Sequence, residues 1–491
     1  MTNQTVKRTG LVPVRTFKIV LGAVASLAAA PILCPAAADA AVMAYPQGQG
    51  VEDFYKVRAE KPLWFEGGHP TAAAQALIGL LNSAATDGLN PADYRLDEIG
   101  QALRQTSSGK DKAIRHADLL LSTAFAKYVR DLKGTRPADV QYVDPGLNIG
   151  PPSPLKALQD AARAPSLKDY VANMEWMNPD YVALRRALVS GGYSGEKQRD
   201  LLRINLDRAR ILPSGDGRYL VVNTATQRLY MYDHGKLADS MKVVVGQSTA
   251  DRKTPPMAGL LHYAALNPYW NVPPDLVWDD VGIYVEKYGL SYLKSRGYEV
   301  LSDWGEHPAQ VDPTTVDWQA VKTGKIQIRV RQLPGPQNFL GDVKYTFTNP
   351  FGVYLHDTPR KELLQKDVRL FSGGCIRLED AMRLGRWLFR HDLHTTSTDP
   401  EVKFALDKPV PVYVTYMTAV PEGSSISFLD DVYGWDAKRL AGVSSYGDTP
   451  TAARLSAPPT RQIMREIGNR LAIRVARGIE GKPRLDERAQ S

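Results

Sequence analysis

A cysteine and a histidine lie close together in the second half of the chain, in a setting suited to acyl transfer by a thiol. His356 ends a predicted strand, and Cys375 follows nineteen residues later, directly after Gly373 and Gly374. The intervening loop is long enough to return the chain to the imidazole. The pattern therefore predicts Cys375 as a nucleophile and His356 as its general base and acid.

The residues around Cys375 could supply the other requirements of thiol chemistry. Backbone N–H groups of the glycine pair and of Cys375 can converge on an oxyanion without side-chain obstruction. Ser372 could orient this loop or donate a further hydrogen bond. A helix predicted over 379–389 would place its N-terminal dipole beside the sulfur, and Arg377 adds a positive charge. Both would favour the thiolate.

Each of these signals has a plainer alternative. A single cysteine is more commonly buried and inert, a Gly-Gly pair is commonly only a turn, and a histidine at the end of a strand is commonly structural. Their combination in one stretch favours the catalytic interpretation. The order of the two residues disfavours a papain-like hydrolase, in which Cys precedes His. The short spacing between Cys375 and Arg377 disfavours a sortase-like enzyme.

A second pair of histidines raises the question of a metal. His391 and His394 have the spacing of metal ligands, but no clustered Cys or further His accompanies them. A polar helix end is the preferred interpretation, and we predict neither a metal nor an organic cofactor.

The N-terminal residues 1–40 have the parts of a secretory signal peptide. A basic head precedes an apolar run over 19–33 and an Ala-x-Ala site at 38–40. The apolar run is short for a membrane span, and an uncleaved anchor is the alternative. Cleavage would remove Cys34 and leave Cys375 as a lone thiol outside the cytoplasm, in the periplasm, where it could form no internal disulfide.

Composition and charge are those of an ordinary globular protein of two or three domains. The 491 residues are 43% hydrophobic and 23% charged, with a formal net charge of +8. Residues 1–40 contribute four bases and one acid, so the remainder carries +5. This mild positive charge suits an anionic polymer. No nucleic-acid partner is indicated, and the sequence leaves the oligomeric state open.

The period of the hydrophobic pattern changes once, which divides the chain into a helical half and a β half. Over 45–210 apolar residues recur at helical spacing, as in the face formed by Leu121, Phe125 and Tyr128, which Gly134 ends. Over 217–416 short β-type runs alternate with turns, at 219–222, 228–232, 241–245, 325–330, 345–347, 353–355 and 410–416. We predict an α+β chain with a helical scaffold domain before an antiparallel β sandwich or barrel.

Three further segments complete the predicted organisation. The β pattern loosens over about 275–340, which indicates an insertion in the β domain. Residues 417–442 extend that domain, and 443–491 form a linker and an Arg-rich amphipathic tail. The tail could lie on an anionic surface, and an ordinary solvated or packed terminal helix is the alternative.

Two neighbouring motifs resemble the signature of the L,D-transpeptidases with a YkuD-type catalytic domain. His356-Asp357-Thr358-Pro359 is followed by Ser372-Gly373-Gly374-Cys375-Ile376-Arg377, as the family pattern requires. The stretch Asn267-Pro268-Tyr269-Trp270-Asn271-Val272-Pro273 and segments of the helical half are similar to the large YcbB-like branch. The resemblance covers roughly residues 50 to 435. It departs from that branch in leaving no room for an inserted peptidoglycan-binding domain, so how the polymer is bound is open.

The resemblance implies an enzyme of the bacterial cell wall. The thiol would be acylated by the third residue of a peptidoglycan tetrapeptide stem, release D-alanine, and pass the acyl group to an acceptor stem in a 3→3 cross-link. Donor and acceptor stem peptides would be its partners, and carbapenems would acylate the same thiol. Attachment or release of wall-bound proteins through the same acyl-enzyme is an alternative. A non-catalytic wall-binding protein is a more distant one.

The resemblance also implies roles for individual residues. The N–H groups of Gly374 and Cys375 would bind the oxyanion with help from the Tyr354 hydroxyl, and Arg377 would hold the loop or a substrate carboxylate. The insertion would form a lid over the cleft. Substrate contacts would come from Asn267, Tyr269 and Trp270, with core packing as an equal alternative for Trp270.

Overall fold

The computed structural model of the protein describes residues 49–134, 140–193, 195–215, 217–305, 307–347 and 349–442. The predicted signal peptide and the predicted tail lie outside these residues. Within them, no helix combines the length and the apolar character needed to cross a membrane.

The helical half folds as its pattern predicts, because each helix buries one apolar face. The helix α4 buries Leu121, Phe125 and Tyr128 and ends at Gly134. The α-helices of the whole structure are α1 (Gln49–Val57), α2 (Ala72–Asn82), α3 (Leu96–Gln105), α4 (Asp111–Gly134), α5 (Pro154–Arg163), α6 (Leu167–Ala172), α7 (Pro179–Ser190), α8 (Glu196–Ala209), α9 (Pro274–Leu276), α10 (Ile283–Tyr288), α11 (Ser291–Ser295), α12 (Trp318–Lys322), α13 (Ala381–Phe389) and α14 (Trp435–Leu440).

Strands dominate after residue 217, in agreement with the predicted α+β class. The strands are β1 (Phe65–Glu66), β2 (His69–Pro70), β3 (Gln141–Tyr142), β4 (Tyr219–Asn223), β5 (Arg228–Asp233), β6 (Lys236–Gly246), β7 (Met257–Leu266), β8 (Trp270–Asn271), β9 (Tyr298–Leu301), β10 (Gln310–Val311), β11 (Arg329–Gln332), β12 (Val343–Phe347), β13 (Leu355–His356), β14 (Leu370–Ser372), β15 (Ile376–Leu378), β16 (Val402–Thr415), β17 (Ala419–Glu422) and β18 (Ser425–Phe428).

The main sheet closes on itself and is mixed. Its strands follow the order β12-β13-β15-β6-β5-β4-β16-β7, and β7 pairs with β12 to complete a ring. The β13–β15 and β4–β16 pairs are parallel, so the prediction of an antiparallel sheet is wrong for them. These pairs join segments that are distant in the chain, and their direction cannot be read from local alternation. The 19-residue separation between His356 and Cys375 is the crossover that a parallel pair needs.

The interior of this ring is apolar and continues onto one helix. Leu220, Leu229 and Val243 are fully buried inside it, and Leu384 and Leu388 of α13 pack against the same core. The helix α13 begins two residues later than predicted. The strand β3, which lies between α4 and α5 of the helical half, pairs with β7 and so attaches that half to the ring.

The segment between β7 and β12 has a core of its own, built on Val277, Trp278 and Val300. It contains an antiparallel sheet of order β10-β9-β11-β8 and the helices α9 to α12. The strand predicted over 325–330 starts only at Arg329. The chain reverses at Gly324, which has a φ of +70°, and the next two N–H groups cap α12 on the Ala320 carbonyl.

Candidate active site

The parallel pair β13–β15 brings the two predicted catalytic residues to one face of the ring. Leu355 lies opposite Ile376 and His356 opposite Arg377. Because side chains alternate along a strand, His356, Cys375 and Arg377 project to one side. Leu355 and Ile376 point to the other side and are fully buried in the core. The sequence-predicted histidine and cysteine are therefore diagonal neighbours on adjacent strands.

The imidazole of His356 is held in one orientation and one tautomer. Its Nδ1 lies 2.5 Å from the Asp357 carbonyl oxygen. Since a carbonyl can only accept, Nδ1 carries the proton and Nε2 keeps its lone pair. Burial of the ring, with repulsion from Arg377, lowers the pKa of His356 to about 3. The ring is therefore a neutral base at physiological pH.

The thiol of Cys375 is also neutral at rest. The residue keeps part of its surface exposed, yet the walls of the cleft remove enough water to raise the pKa of the Cys375 thiol. The charge of Arg377 and a backbone N–H of Tyr354 act in the opposite direction. The Sγ atom points towards the Gly352 carbonyl oxygen at 3.6 Å.

The prediction of a helix N-terminus directly after Cys375 is wrong, because no helix of the described residues begins there. The strand β15 separates Cys375 from α13, whose N-cap residue Asp380 accepts a hydrogen bond from the Arg383 N–H. The first turn of α13 is therefore occupied by its own cap. Arg377 provides the predicted positive charge.

The loop that carries the nucleophile is held by Ser372, which is 1% exposed. Its hydroxyl donates to the Cys375 carbonyl oxygen at 2.6 Å and accepts from the Gly374 N–H at 3.1 Å. Gly374 has a φ of +127°, which only glycine adopts without strain. Because the Gly374 N–H is engaged by Ser372, the Cys375 N–H is the stronger of the two predicted oxyanion donors. Gly373 stands exposed at the tip of the loop.

Two further predicted residues share the face of the thiol. Burial and the neighbouring Cys375 raise the pKa of Tyr354 to about 12, so its hydroxyl keeps its proton and can donate. Burial and repulsion from Arg360 lower the pKa of Arg377 to about 10, which leaves it positive at neutral pH. Their roles in oxyanion and substrate binding stay predictions.

The three residues predicted to contact substrate build the junction between the ring and the insertion. The Asn267 side-chain amide donates to the carbonyl oxygens of Ser397 and Asp399, at 3.1 Å each. The Arg331 guanidinium lies over the Tyr269 ring, with its Cζ atom 3.9 Å from the ring centroid. The Trp270 ring packs on Phe339 and Tyr298, with centroids 4.8 and 6.3 Å away. Their substrate role stays a prediction.

The insertion reaches the nucleophile loop. A Cβ placed on Gly373 would lie 3.9 Å from the Leu276 Cδ1 atom, at the start of the insertion. The Arg252 guanidinium, in the loop after β6, pairs with Asp279 at 3.1 Å. The insertion is thus anchored beside the thiol on two sides.

Arg369 is a site residue that the sequence pattern did not indicate. It lies in the crossover loop between the histidine and the cysteine and is 7% exposed. Its guanidinium donates to the carbonyl oxygens of Val243, Lys366 and Gln227, at 3.2, 2.9 and 3.1 Å. These bonds tie the crossover loop to β6. A basic residue inside an otherwise polar loop carries no sequence signal for this role.

His391 and His394 both lie past the end of α13 and are exposed. Their Nδ1 atoms lie 3.0 and 3.4 Å from the same Asp392 carbonyl oxygen. Across the residues that the structure describes, no group of three or more His, Cys, Asp or Glu side chains could hold a metal ion.

Two family models match the chain, and their boundaries follow the division seen in the fold. A model described as a scaffold domain matches residues 49–188, and one described as an L,D-transpeptidase catalytic domain matches residues 217–400. A Haemophilus influenzae protein described as "Putative L,D-transpeptidase" is 32% identical over 242 residues, which are 48% of each chain. The present chain thus spans about half the length of this curated relative. Residues 217–400 are therefore a YkuD-type L,D-transpeptidase catalytic domain, and residues 49–188 form a scaffold domain before it.

Proposed function

We propose that the protein is a peptidoglycan L,D-transpeptidase that works through a thioester on Cys375. The observation that carries this proposal is the shared face of Cys375 and His356, with the imidazole held as the Nδ1–H tautomer by the Asp357 carbonyl. The predicted signal peptide would deliver the enzyme to the periplasm, where its polymer lies. Tetrapeptide stems would serve as donor and acceptor.

Acylation starts from the neutral thiol of Cys375 and the neutral imidazole of His356. The Nε2 atom of His356 takes the thiol proton as Sγ attacks the carbonyl carbon of the third stem residue. The Cys375 N–H, with help from the Tyr354 hydroxyl, stabilises the oxyanion that forms. When the tetrahedral intermediate collapses, the C–N bond to D-alanine breaks, and His356 returns the proton to the leaving amine. A thioester on Cys375 remains.

In the second half-reaction, the acceptor amine is the nucleophile and the thiol of Cys375 is the leaving group. An amine of the acceptor stem attacks the thioester carbonyl, and the freed Nε2 of His356 takes the amine proton. The C–S bond breaks, and the imidazolium returns a proton to the sulfur. The product is a 3→3 cross-link and a regenerated neutral pair.

We propose that Arg377 orients a substrate carboxylate or the loop and that the insertion acts as a lid over the cleft. The contact between Leu276 and the Gly373 position, and the Arg252–Asp279 ion pair, support a lid at this place. Asn267, Tyr269 and Trp270, beside that lid, would contact the substrate.

The reaction is tested by incubating the full chain with disaccharide tetrapeptide and separating the products by chromatography and mass spectrometry. We expect dimers linked 3→3 with one free D-alanine for each link, and none with Cys375→Ala, which keeps the fold but lacks the nucleophile. Formation of tripeptide without dimers would indicate hydrolysis. An unchanged substrate, with a folded and reduced enzyme, would contradict the proposal.

A further inference from the structure

We propose that Thr254 and Tyr433 are positioning residues for the oxyanion donor at Cys375. Through them, the C-terminal extension of residues 417–442 ties the nucleophile loop to α8 of the helical half. This inference rests on the proposed acyl transfer at Cys375, since it concerns the donor that such a reaction uses.

Thr254 fixes one of the two peptide groups beside the nucleophile. It is fully buried, its hydroxyl donates to the Gly374 carbonyl oxygen at 2.8 Å, and the same hydroxyl accepts from the Gly246 N–H at 2.9 Å. Because the Gly374–Cys375 peptide is planar and trans, its N–H points opposite to its carbonyl. Holding the Gly374 carbonyl therefore aims the Cys375 N–H.

This contact complements the one made by Ser372. Ser372 holds the Cys375 carbonyl, so it fixes the peptide group after the nucleophile, and Thr254 fixes the one before it. Gly374 has no side chain to restrain it and a φ of +127°. The orientation of the Cys375 N–H thus depends on external partners, and Thr254 is the partner that acts on its own peptide group.

Tyr433 supports Thr254 from the C-terminal extension. Its hydroxyl donates to the Gly246 carbonyl oxygen at 2.7 Å and lies 3.4 Å from the Thr254 backbone N–H, which donates to it. The chain is tightly packed here, since a Cβ placed on Gly246 would overlap the Arg252 carbonyl oxygen. Because of this tight packing, a shift of Tyr433 would also move Thr254.

Tyr433 is in turn held within the extension. Its backbone N–H donates to the Tyr416 hydroxyl at 2.9 Å, and that hydroxyl donates to Asp431 Oδ1 at 2.7 Å. The rings of Tyr416 and Tyr433 stack with planes 8° apart and centroids at 5.4 Å. Asp431 also accepts from the Trp435 and Ala437 N–H groups, at the start of α14.

The other end of the extension is bonded to α8. Asp436, in α14, pairs with Arg208 of α8 at 2.5 Å and accepts from the Thr418 hydroxyl at 2.6 Å. The Asn205 side chain donates to the Thr418 hydroxyl and accepts its backbone N–H, at 2.9 and 2.7 Å. These side chains are all buried. A continuous set of hydrogen bonds and packed rings thus runs from α8 to the nucleophile loop.

The test compares two reactions of the same sulfur in the full chain. Acylation of Cys375 by a carbapenem forms an oxyanion, whereas alkylation by iodoacetamide is a direct displacement that forms none. We expect Thr254→Val to slow acylation at saturating carbapenem by about tenfold or more, short of the 10²–10³ that removal of a donor costs. The carbapenem concentration for half-maximal rate and the alkylation rate should change less than about twofold. A merely structural defect would alter both reactions of the thiol.

Two further variants make the result decisive. Thr254→Ser restores the hydroxyl and should return acylation to within about threefold of the parent rate, and Tyr433→Phe should show a smaller selective loss than Thr254→Val. Tyr433→Phe also provides the answer if Thr254→Val fails to fold in a thermal unfolding scan. Equal losses in acylation and alkylation would overturn the inference. Normal acylation in both Thr254→Val and Tyr433→Phe would also overturn it. A parent enzyme that is alkylated but never acylated would instead reject the proposed function.

Discussion

The chemistry of the candidate site depends on two side chains, Cys375 and His356, that are uncharged before substrate binds. Burial raises the pKa of the Cys375 thiol and lowers that of the His356 imidazole, and Arg377 only partly compensates at the sulfur. The pair is therefore a neutral thiol and a neutral base rather than a preformed ion pair. In the proposed reaction, proton transfer to Nε2 would accompany attack, and the negative charge that develops on the oxyanion would stabilise the imidazolium.

This state sets the pH dependence of alkylation. Because the thiol pKa is raised, little thiolate exists at pH 7, and the iodoacetamide rate should still be rising above pH 8.5, near the pKa of a free cysteine. We expect no step near pH 6.5, because the imidazole stays neutral down to a pKa of about 3. The rate is measured by intact mass between pH 5 and 10. A plateau reached below pH 7 would show a preformed thiolate and contradict this assignment.

Many of the residues that make up the candidate site were predictable from sequence. The nucleophile, the base, Ser372 and the Gly-Gly pair stand in one short stretch, and their chemistry is specific in combination. The helix dipole was mispredicted, because three residues of strand precede α13 and strand and helix starts look alike over so short a run. Thr254 precedes the cysteine by 121 residues, and only the folded ring brings its hydroxyl to the loop.

The crossover loop is the element that sets the distance between base and nucleophile. It connects parallel strands, so its ends are held by β13 and β15, and its middle is held by Arg369. The buried guanidinium donates to several backbone carbonyls of the loop and of the neighbouring chain. The prediction of β-type runs found most of the ring. It missed the parallel pairing of distant strands, because alternation along a strand says nothing about its partner.

Substitution Arg369→Met tests the role of this loop anchor. Methionine fills similar space but leaves buried carbonyls of Val243 and Gln227 without that donor, so we expect a loss of about 2–3 kcal/mol in the free energy of unfolding. Urea denaturation measures it. Arg360→Met, an exposed arginine nearby in the same loop, is the matched control and should change stability by less than about 0.5 kcal/mol. Equal effects of the two variants would refute the anchoring role.

The helical half and the ring share one apolar core, to which Leu206 and Tyr219 contribute from the two parts, and polar contacts also join them. β3 pairs with β7 on one side, and the C-terminal extension bonds to α8 on the other. The two-part division was predictable, since the hydrophobic period changes where α8 ends and β4 begins. The joining contacts were not, because Arg208 and Asp436 are ordinary charged residues until the fold buries both to 4% side-chain exposure.

The Arg208–Asp436 pair should therefore matter for the stability of the joined molecule. Asp436→Ala leaves a buried guanidinium without its carboxylate, and we expect a loss of about 3–5 kcal/mol in the free energy of unfolding. Asp160→Ala, which breaks an exposed pair with Lys156 on α5, should cost less than about 1 kcal/mol. Both are measured by urea denaturation of the full chain. Similar small losses would show that the junction does not depend on this pair.

The thioester between Cys375 and a peptidoglycan stem is tested by trapping the acyl-enzyme and locating the modified residue by peptide mass spectrometry. The full chain is mixed with disaccharide tetrapeptide, quenched in acid within seconds and digested. We expect an adduct on the peptide that contains Cys375, with the mass of the disaccharide tetrapeptide less D-alanine, and its loss on treatment with hydroxylamine. His356→Asn should reduce this adduct by about 10²–10⁴ while the fold persists. An adduct on another residue, or none on a folded and reduced enzyme, would show that Cys375 does not form this thioester.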